Sequence, residues 1–232
     1  MGQGEVQYSE VAGRSIAYRL RPGRGPTVVF LPGYASDMEG AKALALDGFA
    51  AERGFAMLRF DYSGTGSSPG KFADGTLDAW LDEALGLIDR LTKGPIVPIG
   101  SSMGGWLALH LALLRPDRVK ALVGIAAAAD FTNWGFADGE AAERAGLARG
   151  FWESGQRLLL LEGEIEVHCP VRLLHGELDQ DVPLDTAFRT MRALRSADVQ
   201  LAVLKGGGHR LSEPHEIAAI LRTVAALLEP AP

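Results

Sequence analysis

The chain has 232 residues, 47% of them hydrophobic, with 23 Lys and Arg against 29 Asp and Glu and a formal net charge of -6. That length suffices for one sizeable core and fits an α/β fold folded as a single domain over 1–232. Interspersed charge with an acidic balance disfavours a nucleic-acid partner, which calls for a basic face, and the lone Cys169 leaves no intramolecular disulfide to form.

Cys169 precedes Pro170 and an apolar run, which suits a small buried residue better than a nucleophile. No apolar run approaches the ~18–20 residues that span a bilayer. The opening residues Met1-Gly2-Gln3-Gly4-Glu5-Val6 show neither a basic nor an apolar leader region, and Val6 stands where a myristoylation signal wants Ser or Thr. A cytoplasmic location without a membrane span is the expectation.

Taken in chain order, Glu5–Tyr8 and Ser15–Leu20 flank Ala12-Gly13-Arg14 as an antiparallel hairpin at a sheet edge. Apolar runs then predict strands near Thr27–Leu31, Ala56–Phe60, Ile96–Ile99, Val119–Ile125, Val171–Leu174 and Val199–Leu204. Amphipathic stretches between them predict helices over Met38–Arg53, Leu77–Leu91, Met103–Leu114, Leu184–Leu194 and Pro214–Leu228. Such alternation is the pattern of an α/β fold with a mostly parallel sheet and helices on both faces. One segment breaks the rhythm. Residues 130–168 carry Phe131, Trp134, Phe136, Phe151 and Trp152, and read as a short helical cap too small to be a domain.

Gly100-Ser101-Ser102-Met103-Gly104 sits between a strand and a helix and reads as a G-x-S-x-G nucleophile elbow, with Ser102 the nucleophile. A serine hydroxyl is a weak nucleophile at neutral pH and needs a base within hydrogen-bond reach. That base in turn needs a carboxylate to fix its tautomer. His175-Gly176-Glu177-Leu178-Asp179-Gln180-Asp181-Val182-Pro183 follows a strand and supplies the acid loop, which selects Asp179. Glu177 and Asp181 are competitors within the loop, and Asp130 is an alternative after the sixth strand.

His209 follows three glycines, Gly206 to Gly208, which let a loop turn and aim the imidazole at the serine. His110, His168, His175 and His215 read as structural or solvated. Attack creates an oxyanion that needs preorganised N–H donors. Met103, after the nucleophile, supplies one, and Tyr34 in Leu31-Pro32-Gly33-Tyr34 supplies the other. The turn Arg59-Phe60-Asp61-Tyr62-Ser63-Gly64 reads first as a structural turn network. A second reading has Asp61 or Tyr62 bracing the oxyanion loop.

Phe30-Leu31-Pro32-Gly33-Tyr34, with Met38 and Lys42-Ala43-Leu44-Ala45, points to a known family. So do Arg59 to Gly64 with Gly66-Ser67-Ser68 and Gly70, the elbow through Leu107, Cys169-Pro170, Arg172 to Gly176 and His209-Arg210. Together they resemble the α/β-hydrolase superfamily and, within it, the family of the mammalian mitochondrial depalmitoylase also described as mycophenolic acid acyl-glucuronide esterase. The resemblance covers roughly 27–225. It implies an α/β-hydrolase fold and hydrolysis of acyl thioesters and esters with Ser102, Asp179 and His209 as triad. The absence of a mitochondrial leader reads as a bacterial-type relative, and the cap is shorter than the family's.

The expected enzyme is a serine esterase or thioesterase working through an acyl-enzyme, with no metal or organic cofactor required. Its partner is a small-molecule or acylated-protein substrate, reached through the open entrance a short cap leaves. Rival readings are a general carboxylesterase on small esters, an amidase, and a non-catalytic hydrolase-fold binding protein. Oligomeric state is not legible in the chain.

Overall fold

The computed structural model describes residues 5–229. Met1 to Gly4, part of the stretch read for a leader, and 230–232, the end of the expected domain, lie outside them. Strands β1 (Gln7–Val11) and β2 (Arg14–Arg21) form the expected antiparallel hairpin, with pairs running from Val11↔Arg14 to Gln7↔Tyr18. Its two turn residues, Ala12 and Gly13, have φ of 50° and 75°. Positive φ at both centres gives the turn whose twist matches the flanking strands.

The rest of the sheet comprises β3 (Arg24–Leu31), β4 (Phe55–Phe60), β5 (Ile96–Ser101), β6 (Leu122–Ile125), β7 (Val171–Gly176) and β8 (Val199–Leu204). These strands lie parallel to one another, whereas β2 meets β4 antiparallel. The order is β1-β2-β4-β3-β5-β6-β7-β8. After β3 the chain moves outward to β4, then returns to the other side of β3 for β5. The turns leaving β3 and β5 therefore flank a switch point, where open α/β sheets form their ligand crevice.

Alternate residues of each strand serve two cores. Val29 and Leu31 join Leu58 and Phe60 on the face covered by α2 (Leu77–Leu91) and α3 (Met103–Leu114). Val28 and Phe30 join Met57, Val97 and Ile99 on the face covered by α1 (Ala41–Arg53) and α8 (Pro214–Leu228). Helix α3 is buried over ten consecutive residues from Met103 to Ala112. An all-round apolar helix of this kind belongs inside a fold.

Between β6 and β7 run three short helices, α4 (Phe131–Trp134), α5 (Gly139–Arg144) and α6 (Arg149–Gln156). The remaining helix, α7 (Leu184–Ala193), follows the acid loop. Asp138 caps α5 by accepting the Ala141 N–H at 2.8 Å, and Ser154 Oγ accepts the Leu77 N–H at 2.8 Å, tying α6 to the start of α2.

Several expected boundaries shift: β1 runs Gln7–Val11 rather than Glu5–Tyr8, and β3 begins at Arg24 rather than Thr27. Helix α1 begins at Ala41 rather than Met38, because the Met38 backbone is engaged at both ends. Its N–H donates to Asp61 Oδ1 at 2.7 Å and its carbonyl accepts Arg59 Nη1 at 2.7 Å. Strand β6 begins at Leu122 rather than Val119, which makes only an isolated bridge to Ile96.

Candidate active site

Pairing of Leu31 with Gly100 puts the ends of β3 and β5 side by side. The chain leaving β5 must turn at once into α3. Ser102 takes that turn at φ 54° and ψ -121°, a conformation that L-residues rarely adopt. Its backbone is held on both sides: the N–H donates to Ile125 O at 2.9 Å and the carbonyl accepts from Ala128 N at 3.0 Å. Glycines make the turn possible by close approach rather than by φ. A Cβ on Gly100 would lie 2.1 Å from the Gly104 carbonyl oxygen.

Ser102 Oγ stands 3.0 Å from His209 Nε2, and His209 Nδ1 stands 2.9 Å from Asp179 Oδ2. The Asp179 carboxylate is fully buried, while the His209 side chain keeps 22% exposure. Asp179 Oδ1 accepts the N–H groups of Asp181 at 3.0 Å and Val182 at 2.9 Å. Burial pushes the Asp179 carboxyl up, but the hydrogen bonds from His209, Val182 and Asp181 outweigh it and hold the group below the usual carboxylate range. Such an acid stays ionised, holds the imidazole's Nδ1–H and leaves Nε2 free to accept the serine proton. Asp179, Asp181 and His209 offer oxygen and nitrogen atoms within 4.8 Å of one another, and two of those groups are already bonded to each other.

The loop after β3 reaches the same point. A Cβ on Gly33 would lie 3.2 Å from Ser102 Cβ, so any larger residue would make the loop or the serine give by a few tenths of an ångström. The Gly33 carbonyl accepts the Ser36 N–H at 3.1 Å, which orients the peptide that carries the Tyr34 N–H. Met103 opens α3, and its N–H is among the four that no helical carbonyl can satisfy.

Two cavities meet at Ser102 and His209. One, of 220 Å³, is apolar and runs beneath the insertion past Phe131, Trp134 and Phe136. The other, of 540 Å³, is a groove of mixed lining, more polar than the first, past Ser36, Asp37, Lys42, Arg210 and Ser212. Tyr34 lines both. Trp152, within the cap, lies against Gly139, with the ring 3.1 Å from where a Cβ there would stand, and lines neither cavity.

A family model described as "alpha/beta hydrolase fold" matches residues 26–161. The chain belongs to the alpha/beta hydrolase family. It is 36% identical over 236 residues to human "Palmitoyl-protein thioesterase ABHD10, mitochondrial", spanning 93% of this chain and 77% of that protein. The mouse alpha/beta hydrolase domain-containing protein 10 superposes with a TM-score of 0.90 at 34% identity, covering 97% of this chain and 98% of that one. A putative hydrolase from Agrobacterium vitis S4 also gives 0.90, at 36% identity and 97% and 99% coverage. The human relative's name places that protein in mitochondria, so the expected cytoplasmic location gains no support from it. Among the described residues no helix is long and apolar enough to cross a membrane.

Within this hydrolase two of the rival acids have other partners, while Asp181 lines the apolar pocket. Glu177 accepts the Gly206 N–H at 3.0 Å and steadies the histidine loop. Asp130 is buried after β6, where its carboxylate accepts the N–H groups of Leu160 and Leu161. His110 bonds the Leu158 carbonyl at 2.9 Å, His168 faces Glu166 at the surface, and His215 is exposed in the first turn of α8.

His175, expected to be structural or solvated, is buried beside the acid. Its buried Nε2 lies 3.0 Å from Val182 O and 3.5 Å from Asp179 Oδ2, while its Nδ1 has no partner. A carbonyl only accepts, so Nε2 carries the proton. The first, fifth and eighth positions of the loop motif are thereby joined around the acid. The spacing H-G-x-x-D-x-x-V held that signal, but no helical or strand period reveals it.

The Arg59 to Gly64 turn also reaches the site. Tyr62 donates its buried hydroxyl to Pro32 O at 3.4 Å, and Asp61 holds Met38 and, through Oδ2, the Ser67 N–H at 2.7 Å. It is a turn network that braces the loop of Gly33 and Tyr34, so the two sequence readings describe the same contacts.

Proposed function

We propose that the protein is a serine esterase or thioesterase that cleaves acyl thioesters or esters through an acyl-enzyme on Ser102. The observation that carries this reading is the hydrogen-bonded line Ser102–His209–Asp179, set where an apolar pocket meets a larger and more polar groove. The acyl group lies in the apolar pocket beneath the 130–168 cap, and the leaving group in the groove.

His209 Nε2 takes the Ser102 proton as Oγ bonds to the acyl carbon. The developing oxyanion is held by the N–H groups of Tyr34 and Met103, donors fixed before the reaction begins. As the carbonyl re-forms, the bond to sulfur or oxygen breaks and the imidazolium returns its proton to the departing thiol or alcohol. Water then enters, gives a proton to His209, and attacks the acyl carbon. Collapse releases the acid and restores the serine. The Asp179 carboxylate balances the imidazolium in both steps.

Likeness to a protein named a palmitoyl-protein thioesterase supports a thioester among the substrates, borne by a protein or a small molecule. A small-ester carboxylesterase is the second reading, favoured by the modest 220 Å³ of the apolar pocket. Rates across acyl lengths for paired thioesters and oxygen esters test both, with Ser102→Ala as control. Faster thioester turnover supports the first reading, and a maximum at short oxygen esters the second. Equal rates for wild type and Ser102→Ala overturn the serine mechanism and favour a binding protein.

A further inference from the structure

Tyr34 lines both the apolar pocket and a second hollow. That hollow, of 270 Å³, is lined by Phe72, Ala73, Leu147 and Ala148, with Glu143 and Gly146 beside them. Tyr34 is the one residue that lines both it and the pocket at Ser102. Its ring packs against a ring from each: the Phe131 ring of the pocket lies 6.4 Å away and the Phe72 ring of the hollow 4.9 Å away. Glu143 is drawn into an ion pair with Arg149 at 2.8 Å, so its charge has a partner at the hollow's edge.

Volume gives that position a consequence. A chain atom needs about the share of space one water takes, on the order of 30 Å³. The 220 Å³ pocket therefore holds an acyl group of roughly seven heavy atoms. Adding the 270 Å³ hollow makes room for roughly sixteen. Tyr34 has somewhere to go, because it also borders the 540 Å³ groove on its third side.

We propose that the Tyr34 ring is an acyl-length gate, which limits the seated site to short, medium or aromatic acyl groups and admits long chains by swinging toward the groove to join the two cavities. The proposal rests on the esterase reading and assigns its substrate range. Tyr34 thus has two separable parts. Its backbone N–H serves the oxyanion, and its side chain sets acyl length.

The test is the ratio of kcat/KM for hexadecanoyl over octanoyl thioesters of one thiol, in wild type, Tyr34→Ala and Ala148→Phe. Tyr34→Ala keeps the backbone donor and removes the partition, so the ratio should rise about tenfold or more. Ala148→Phe fills the hollow, so the ratio should fall below wild type. Should Tyr34→Ala not fold, the Ala148→Phe ratio decides alone. Ratios unchanged in the folded variants, with all chain lengths scaled by one factor, would overturn the gate and leave the esterase reading standing. A wild type inert on both thioesters and on short oxygen esters would overturn the esterase reading, and the gate with it.

Discussion

Gly104, in the first turn of α3, lies against the Leu31 carbonyl so closely that a Cβ there would stand 2.1 Å from its oxygen. The same Cβ would be 2.5 Å from the Pro32 carbonyl oxygen. Helix α3 and the loop after β3 are thus pressed together through one missing side chain.

Gly104→Ala must push the loop away or distort α3, and overpacking of this kind costs about 1–3 kcal/mol. Urea denaturation should show that loss, and kcat should fall with it because Tyr34 moves relative to Ser102. Gly48→Ala is the matched control. Gly48 is exposed within α1 and a Cβ there meets nothing within 4 Å, so the change should stabilise by about 0.5–1 kcal/mol.

His175 should be needed for its Nε2 donor rather than its bulk. His175→Gln keeps an N–H at similar reach from the backbone, whereas His175→Phe keeps the ring and loses the donor. The bond goes to the Val182 carbonyl at 3.0 Å, with Asp179 Oδ2 only nearby at 3.5 Å, and a bond to a neutral partner contributes about 0.5–1.5 kcal/mol. His175→Phe should therefore lose up to about tenfold in kcat with KM little changed, since His175 lines neither cavity at Ser102. His175→Gln should recover most of it. Equal losses in both variants would reduce His175 to packing.

Asp179 makes stability depend on acid. Its folded pKa lies below the unfolded value of about 3.9, so its contribution is present above that value. It is lost as pH falls through the folded pKa. The stability gap between wild type and Asp179→Asn should be widest near neutrality and close at acid pH, in urea melts taken across that range. A gap constant with pH would show that the carboxylate is not favoured by folding.

Cys169 should be a poor target for thiol reagents. Burial pushes its thiol up to about 11, which leaves about one part in a thousand as thiolate at pH 8. Labelling with a maleimide in the folded protein should be slow, and activity should survive it. Rapid labelling with loss of activity would place the thiol in the reaction.

Much of the site was legible because each reacting group sits at a turn with its own local chemistry. Ser102 lies between glycines that a strand-to-helix elbow needs, and His209 follows a run of glycines that only a sharp loop explains. The contacts that aim these groups were not legible. Met38 is held by Arg59 from 21 residues away, and Tyr62 reaches Pro32 from 30 away. Nothing in a local pattern records such pairings, which is why α1 was expected to start three residues early. Tyr34 shows the same limit. Its backbone role follows from Pro32-Gly33, whereas its side chain's place among Phe72, Phe131 and Phe151 depends on the cap folding back.

The covalent step on Ser102 is open to intact-mass spectrometry during turnover of an activated octanoyl ester. Wild type should gain one acyl mass, mapped to the peptide carrying Ser102 and absent from Ser102→Ala, which should lose about a thousandfold or more in rate by the usual cost of removing a triad nucleophile. Turnover without any adduct, or with the adduct retained in Ser102→Ala, would rule out an acyl-enzyme on Ser102.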